Sequence, residues 1–251
     1  MKYCLIVIIL TLICHSAAFA EEAKRDPLSA EELFQQGLDL FEGQKTAKDI
    51  PAALQAWKDA ADSNHVVAMY NLGVVYANGL DVTPDPALAL HWYTRAAELG
   101  NSDAMFNLGV LYGDRELAEM DSLKAIHWYE RAGEAGDMRA QHNLGVMYEY
   151  GDLVAVDSLK AASWYLKAAQ QGMGEAQLKI GRWYCQEGVF KRNPMLAYVW
   201  LWLGSVNCRN QSGWIYEDDL QACEELLDDW QIEQARAVIE AVMECYERNR
   251  R

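Results

Sequence analysis

Residues 68–103 read AMYNLGVVYANGLDVTPDPALALHWYTRAAELGNSD, and much of this stretch returns at intervals of 36 residues. Four of the recurring columns are Ala68, Ala104, Ala140 and Ala176; Gly73, Gly109, Gly145 and Gly181; Tyr76, Tyr112, Tyr148 and Tyr184; and Trp92, Trp128, Trp164 and Trp200. A fixed interval of this size is typical of a repeat protein. Residues that return in every unit serve the architecture, so function belongs to residues that do not return.

Each repeat is predicted to be an antiparallel pair of helices. The first apolar stripe follows helical spacing at Ala68, Leu72, Val75 and Tyr76. Asn78-Gly79 suits the end of a helix, and Asp85-Pro86 suits the start of the next one. The second stripe consists of Ala89, Trp92, Tyr93, Ala96 and Ala97. Gly100 then ends the second helix.

Gly73 lies in the middle of the first predicted helix, where glycine costs roughly 1 kcal/mol relative to alanine. Because glycine returns at this position in every unit, close approach of the paired helix must offset that cost. We expect a bulky ring to lie over the missing Cβ atom, and Trp92 is the predicted ring.

These residues resemble the pattern of Sel1-like repeats, A-x-x-x-L-G-x-x-Y followed by D-x-x-x-A-x-x-W-Y-x-x-A-A-x-x-G. The matching residues are Ala68, Leu72, Gly73, Tyr76, Asp85, Ala89, Trp92, Tyr93, Ala96, Ala97 and Gly100, and the match returns from Ala140 to Gly172. The second and fourth units depart from the pattern at Arg115, Gly133, Ile180, Asn193, Leu201 and Gly204. A degenerate unit comes first, with Trp57 at the position of Tyr93.

The resemblance covers residues 32–204 and implies an all-α fold, a right-handed α-solenoid of about five 36-residue helix-turn-helix repeats. Helical spacing continues over residues 205–251, which we interpret as C-terminal capping helices. Most members of this family bind other proteins, so the resemblance also implies a protein partner.

The N-terminus has the features of a secretory signal peptide over residues 1–20. Lys2 precedes an apolar run from Leu5 to Ile13, and Ala18-Phe19-Ala20 predicts cleavage near Ala20. An N-terminal extension over residues 21–31 follows. The alternatives are an uncleaved anchor and lipidation at Cys14. The expected location is therefore periplasmic or secreted.

Four cysteines remain after removal of this leader, all in the last third of the chain. An even number in an exported protein predicts disulfides. One repeat interval separates Cys185 approximately from Cys223, and Cys208 from Cys245. Since equivalent positions of adjacent repeats are neighbours in space, we expect the bonds Cys185–Cys223 and Cys208–Cys245.

The formal net charge is −15, which disfavours nucleic acid because phosphate binding needs clustered lysine and arginine. The charge is explained either by solubility or by a basic protein partner. No other segment is apolar enough for stable insertion into a membrane. The sequence leaves the oligomeric state open.

No catalytic motif is found, and neither a metal nor another cofactor is predicted. His91 and His127 are equivalent in adjacent units, but a metal site needs at least a third ligand, so helix surface residues are the favoured interpretation. Asn71, Asn107 and Asn143 also recur, which favours a structural hydrogen bond over a ladder of ligand contacts.

The candidates for partner binding vary between units and lie on the first helices, which we expect to face the groove. The predicted protein-binding residues are Met69, Tyr70, Met105, Phe106, His142, Met147, Arg182 and Trp183. Val74, Val110, Gln141, Gln177 and Lys179 belong to the same set. The alternative for each of them is packing between repeats.

The sequence thus predicts an exported scaffold or adaptor that binds a partner protein through the groove and is not an enzyme. One alternative within this family is an immunity protein that neutralises a secretion-system toxin. A cell-wall or β-lactam hydrolase and a carbohydrate-binding module are alternatives from other classes.

Overall fold

In the computed structural model, the described residues are 28–43, 45, 47–114, 121–186, 188–208 and 217–249. Within these ranges the chain forms twelve α-helices and no strand, which confirms the predicted all-α class. The predicted signal peptide, most of the N-terminal extension and Arg115 lie outside the described residues.

The helices are α1 (Ala30–Glu42), α2 (Ile50–Asp62), α3 (Val66–Asn78), α4 (Pro86–Glu98), α5 (Ser102–Gly113), α6 (Ser122–Glu134), α7 (Met138–Tyr150), α8 (Ser158–Gln170), α9 (Gly174–Cys185), α10 (Pro194–Asn207), α11 (Glu217–Glu224) and α12 (Asp229–Asn249). The first ten make five pairs, as the repeat pattern predicts. The last two follow as a cap.

The second helix of every pair begins with the same cap. The N-cap residues are Asp49, Asp85, Asp121, Asp157 and Asn193, each 36 residues from the next. In each case the side-chain oxygen accepts a hydrogen bond from a backbone N–H in the first helical turn. The same five residues donate their own N–H to a carbonyl of the preceding helix, for example Asp85 to Tyr76 at 2.8 Å. The short polar residue therefore fixes both the helix start and the turn between paired helices.

The described residues fall into two compact units on either side of Leu72–Gly73, within α3. In the first unit, the Trp57 ring lies against Gly37, and its Nε1 donates to the Phe34 carbonyl at 3.2 Å. His65 stacks on Phe34 with ring centroids 4.5 Å apart. Trp57 thus fills the place that the alignment with Tyr93 predicts.

In the second unit, each helix pair packs on the next. Contacts join the partners within α5–α6, α7–α8 and α9–α10, and they also join α4 to α5, α6 to α7 and α8 to α9. Fully buried alanines at Ala96, Ala132 and Ala168 allow the close approach of neighbouring helices. This continuous stacking is the arrangement in which repeat proteins bury a common core.

The ring over Gly73, Gly109 and Gly145 is a tyrosine, so the prediction of Trp92 is wrong; at Gly181 the side chain of Leu201 takes this place. Tyr93 lies against Gly73, and a Cβ atom on Gly109 would be 2.8 Å from the Tyr129 ring. Adjacent residues of a helix point about 100° apart, so only one ring of the Trp-Tyr pair can face the partner helix. The tryptophan packs elsewhere: Trp164 contacts the Gly133 position in the preceding repeat, 3.0 Å from an ideal Cβ.

The cap helices α11 and α12 pack on α10. A disulfide joins Cys185 at the end of α9 to Cys223 in α11, the pairing expected from the repeat interval. Nearby, the Arg182 Nε donates to the Asp219 Oδ2 at 2.7 Å. These two links attach α11 to the last repeat.

The second expected disulfide, Cys208–Cys245, is not formed in the structure. Cys208 ends α10, and its Sγ lies against Gly174 at the start of α9. Burial raises the pKa of this thiol to about 11. Cys245 is exposed on α12. The interval of 36 residues fails here because α12 is longer than a repeat helix and leaves the repeat register.

Within the described ranges, none of the helices combines the length and the hydrophobicity that a membrane span requires.

Candidate functional site

The candidate site is a row of side chains on α5, α7 and α9, which we call the first-helix surface. It comprises Phe106, Val110, His142, Val146, Lys179, Arg182 and Trp183, all of them partly or fully exposed. Phe106 and His142 occupy equivalent positions in adjacent repeats, as do Val110, Val146 and Arg182. The surface therefore crosses three consecutive helix pairs of the second unit.

Aromatic contacts connect the repeats along this surface. The His142 ring meets Tyr165 edge-on at 5.5 Å, and Tyr165 meets Trp183 at 5.5 Å in the same manner. Phe106 makes the corresponding contact with Tyr129 at 5.8 Å. The tyrosines that fill the glycine notches thus also support the exposed rings, which limits the rotamers available to those rings.

A half-buried charge network lies beside these rings. The Lys179 ammonium pairs with Glu149, whose second oxygen accepts a hydrogen bond from the Tyr165 hydroxyl at 3.0 Å. Lys179 also donates to the Tyr150 hydroxyl at 3.4 Å. Burial, followed by the charge of Glu149, raises the pKa of Tyr165, so this hydroxyl stays a neutral donor. The network holds Lys179 in place between α7 and α9.

His142 is neutral at physiological pH because burial lowers its pKa, outweighing the opposite effect of Glu175. Its surroundings also include the Asn143 amide and the Lys179 charge. At neutral pH the ring therefore offers an aromatic, uncharged contact.

Arg182 marks the end of the first-helix surface next to the cap. Its ion pair with Asp219 connects α9 to α11, and both side chains remain partly exposed. At the other end, Arg139 pairs with Asp103 and Asp137, and its guanidinium lies over the Phe106 ring at 4.4 Å. Charged groups therefore border the aromatic part at both ends.

Three of the predicted binding residues are instead core residues. Met69, Met105 and Met147 are at most 9% exposed. The methionines follow the first-helix spacing, but their side chains are buried, where the flexibility of methionine suits the filling of irregular spaces in a core. Tyr70 is half-buried in the first unit and is considered apart from the first-helix surface.

Gln141 and Gln177, also expected in the groove, form a buried polar link between repeats. Gln141 Nε2 donates to the Gly133 carbonyl at 2.8 Å, and its Oε1 accepts from Gln171 at 2.8 Å. One interval later, Gln177 repeats both bonds with Ala169 and Asn207. These glutamines satisfy the carbonyls at the end of the preceding helix pair, which makes their role structural.

The recurring polar residues Asn143, His91 and His127 contact neighbouring aromatic side chains. The Asn143 side chain bonds to Tyr129, whose pKa burial raises to about 12. His91 and His127 each meet the following tryptophan edge-on, at 4.9 and 5.4 Å. Across the described part of the chain, no three His, Cys, Asp or Glu side chains come together as metal ligands.

Sequence reasoning missed Glu149, Tyr150 and Tyr165. The two preceding repeats have small residues at the position of Glu149, Ala77 and Gly113, and short polar residues at the position of Tyr150, Asn78 and Asp114. Glu149 and Tyr150 break this pattern. That break was an available signal. Tyr165 is equivalent to Tyr93 and Tyr129, so the sequence assigns it to the architecture, although its hydroxyl takes part in the charge network.

The helix pairs stacked within the second unit, followed by a helical cap, define a helical repeat protein. The Sel1 repeat model matches residues 66–101, 102–137, 139–173 and 174–201, more than half of the chain. The chain therefore belongs to the Sel1 repeat family. A comparison with the curated proteins gave no match.

Solved structures show the same fold. A protective antigen from uropathogenic Escherichia coli with an SLR fold is 29% identical at a TM-score of 0.68, over 87% of this chain and 46% of that one. This chain thus spans about half of the antigen. A Sel1 repeat protein from Oxalobacter formigenes is 27% identical at a TM-score of 0.62, over 84% and 88%. An immunity protein from Pseudomonas aeruginosa, at 19% identity and a TM-score of 0.46 over 88% and 86%, is too distant to support any functional statement.

Proposed function

We propose that this chain is an interaction scaffold that binds another protein through the first-helix surface. The Sel1 repeat fold suits protein–protein interaction, because stacked repeats supply an extended surface. The proposed activity is recognition, in which no bond is made or broken.

The observation that carries this proposal is the chain of ring contacts from His142 through Tyr165 to Trp183. His142 and Trp183 are partly exposed and do not recur in the other units, and both rings pack against the buried ring of the recurring Tyr165. Aromatic and arginine side chains of this kind are enriched at the centres of protein interfaces. A supported ring loses little side-chain entropy on binding, which favours affinity.

We also propose that the protein works in an oxidising compartment outside the cytosol, periplasmic or secreted. The Cys185–Cys223 bond supports this location, because disulfides persist mainly in such compartments. The leader predicted over residues 1–20 agrees with it. N-terminal sequencing of the protein recovered from the cell envelope tests the predicted cleavage near Ala20.

A site-specific crosslinking experiment tests the interaction. A photoreactive amino acid replaces Val110, which is 42% exposed on the first-helix surface, and in a second preparation Leu159, which is 73% exposed on α8. Crosslinking in the native compartment, followed by mass spectrometry, should recover one partner from the Val110 position. Recovery of the same proteins from both positions would contradict the proposed surface.

Substitutions then test the residues. Phe106→Ala and Trp183→Ala should each reduce capture by about tenfold or more, as expected for interface anchors. Leu159→Ala removes a more exposed apolar side chain from another surface and should leave capture unchanged. Circular dichroism and thermal melting establish that the variants are folded.

The identity of the captured protein decides between the two proposed roles. A captured basic toxin would identify the immunity role, and any other partner would favour an adaptor.

A further inference from the structure

An apolar pocket lies between the last repeat and the cap, away from the first-helix surface. It has a volume of about 610 Å³ and is lined by Tyr198, Trp202, Arg236, Ile239, Glu240 and Met243. We call it the cap pocket. α10 supplies its two aromatic residues and α12 supplies the other four. Its volume is in the range of sites that hold a ligand or several side chains of a partner.

The rim of the cap pocket leads to a second depression on α11. That depression, of about 490 Å³, is lined by Leu220, Gln221, Glu224 and Glu225, and we call it the acidic pocket. Arg236 of the cap pocket and Glu224 of the acidic pocket are 3.7 Å apart, so the two pockets are adjacent. An apolar cavity and an acidic one therefore lie side by side.

The charge around these pockets is strongly negative. Residues 217–251 contain 11 acidic and 4 basic residues, a net charge of −7 out of −15 for the whole chain. The positive charge of Arg236 faces Glu224, and Glu240 is exposed at the rim. A cationic partner is therefore favoured over an anionic one.

We propose that the cap pocket and the acidic pocket together bind a basic protein segment, with a bulky apolar side chain in the first and a lysine or arginine in the second. The apolar anchor would displace water from the partly exposed Trp202 and Met243, beside the buried Ile239, which favours binding through the hydrophobic effect. The cation would pair with Glu224 and Glu225. This surface is independent of the proposed function, since it uses other helices and other residues.

The test uses the full mature chain and a fluorescently labelled, amidated peptide, Lys-Lys-Ala-Phe-Ala-Lys-Lys-Leu-Ala-Lys, with fluorescence polarisation as the readout. We expect saturable binding that weakens with added salt. A peptide with serine in place of Phe and Leu should bind about tenfold more weakly, because it lacks the apolar anchor. A peptide with glutamate in place of lysine should not bind.

Matched variants locate the binding. Glu240→Lys and Glu225→Lys should each weaken binding by about threefold or more, whereas Glu134→Lys, the same charge change at an exposed position on α6, should change it by less than about twofold. Met243→Trp should abolish binding by filling the cap pocket. Circular dichroism monitors the fold, and the two lysine variants keep the test valid if Met243→Trp is unfolded.

Three results would overturn the proposal. Equal weakening by Glu134→Lys and Glu240→Lys would indicate diffuse charge attraction. Full binding by the serine peptide would remove the role of the apolar pocket. Light scattering that shows a dimer disrupted by Glu240→Lys would assign the pocket to a second copy of this chain.

Discussion

At the scale of single residues, the contact between a glycine and a tyrosine sets the distance between paired helices. We predict that Gly109→Ala destabilises the protein by about 1–3 kcal/mol, although alanine is the better helix former by about 1 kcal/mol. The reason is that the new Cβ would lie 2.8 Å from the Tyr129 ring, which is itself buried. Urea denaturation measures the loss.

Gly113 supplies the control in the same helix. A Cβ atom there meets its nearest neighbours, Ala125 and Leu153, at 3.7 Å, an ordinary van der Waals contact. Gly113→Ala should therefore be neutral or slightly stabilising. Equal effects of the two substitutions would mean that steric fit to the ring is not the reason for the recurring glycine.

The pKa of His142 predicts a pH dependence of stability. Burial lowers this pKa below its usual value of 6.5 in the native state. As pH falls through 6.5, the unfolded chain binds the proton first, so stability falls until the native pKa is reached and is constant below it. The effect of His142→Gln on stability should therefore depend on pH only in that window, as urea titrations at pH 7.5, 6 and 5 can show. NMR titration of the ring should give a pKa below 6.5, and a value above it would refute the prediction.

The sequence predicts the position of the close contact between paired helices, but not the ring that makes it. The interval of 36 residues correctly identifies Gly73 as a site of close approach. It does not distinguish Trp92 from Tyr93, because both are aromatic and both recur. Which of the two rings faces Gly73 depends on the direction in which each side chain leaves the helix. That direction depends on how the helix is rotated about its own axis, and only packing against the neighbouring helices fixes this rotation.

At the scale of secondary-structure elements, the buried glutamine link predicts the cost of breaking a contact between repeats. Gln177→Met keeps the side-chain size and imitates Met69 and Met105 of the earlier repeats. It leaves the Ala169 carbonyl and the Asn207 amide without their present partner, which should cost about 1–3 kcal/mol. Chemical denaturation measures this change. Gln55→Met, on the exposed side of α2, should cost less than about 0.5 kcal/mol; an equal cost at both positions would be the contrary result.

The disulfide predicts where the molecule opens first. Cys223→Ser should destabilise the cap by about 2–4 kcal/mol, since the bond closes a loop with a sequence separation of 38 residues. Hydrogen exchange should speed up over α11 and α12 and stay unchanged over α4–α8. Cys245→Ser, at an exposed position, serves as the control. Unchanged exchange in α11 would show that packing on α10 and the Arg182–Asp219 pair are sufficient to hold it.

Capping residues made the helix boundaries largely predictable from the sequence. The contacts between helices were less predictable. Asp85-Pro86 marks a helix start in any context, and the observed cap confirms it. The repeat interval also pairs Cys185 with Cys223, because α11 still follows the last repeat closely. It fails for Cys208, since the cap helices no longer keep the repeat length, and a register defined by a repeat applies only where the repeat continues.

At the scale of the whole molecule, the candidate binding residues are predicted from one criterion, which is that they vary between repeats while the residues of the architecture recur. Phe106 and Trp183 vary between units and are partly exposed, and their role in binding a partner stays a prediction. Met105 and Met147 vary as well, yet they are buried. A residue can therefore vary between repeats either because it contacts a partner or because it packs against different neighbours. Only its burial in the structure distinguishes these two cases.

The net charge of −15 gives the last prediction, a rise of thermal stability with salt. Two effects oppose each other. Screening weakens ion pairs such as Lys45–Asp39, and exposed pairs contribute only about 0–1 kcal/mol each. Screening also relieves repulsion among the excess acidic groups, whose effect extends over a Debye length of about 10 Å at 0.1 M ionic strength. We expect the second effect to dominate, so the melting temperature should rise between low salt and about 0.2 M sodium chloride.

Asp218→Lys combined with Glu225→Lys should raise the melting temperature at low salt and reduce its salt dependence. A melting temperature that falls with salt would show that specific ion pairs outweigh the general repulsion.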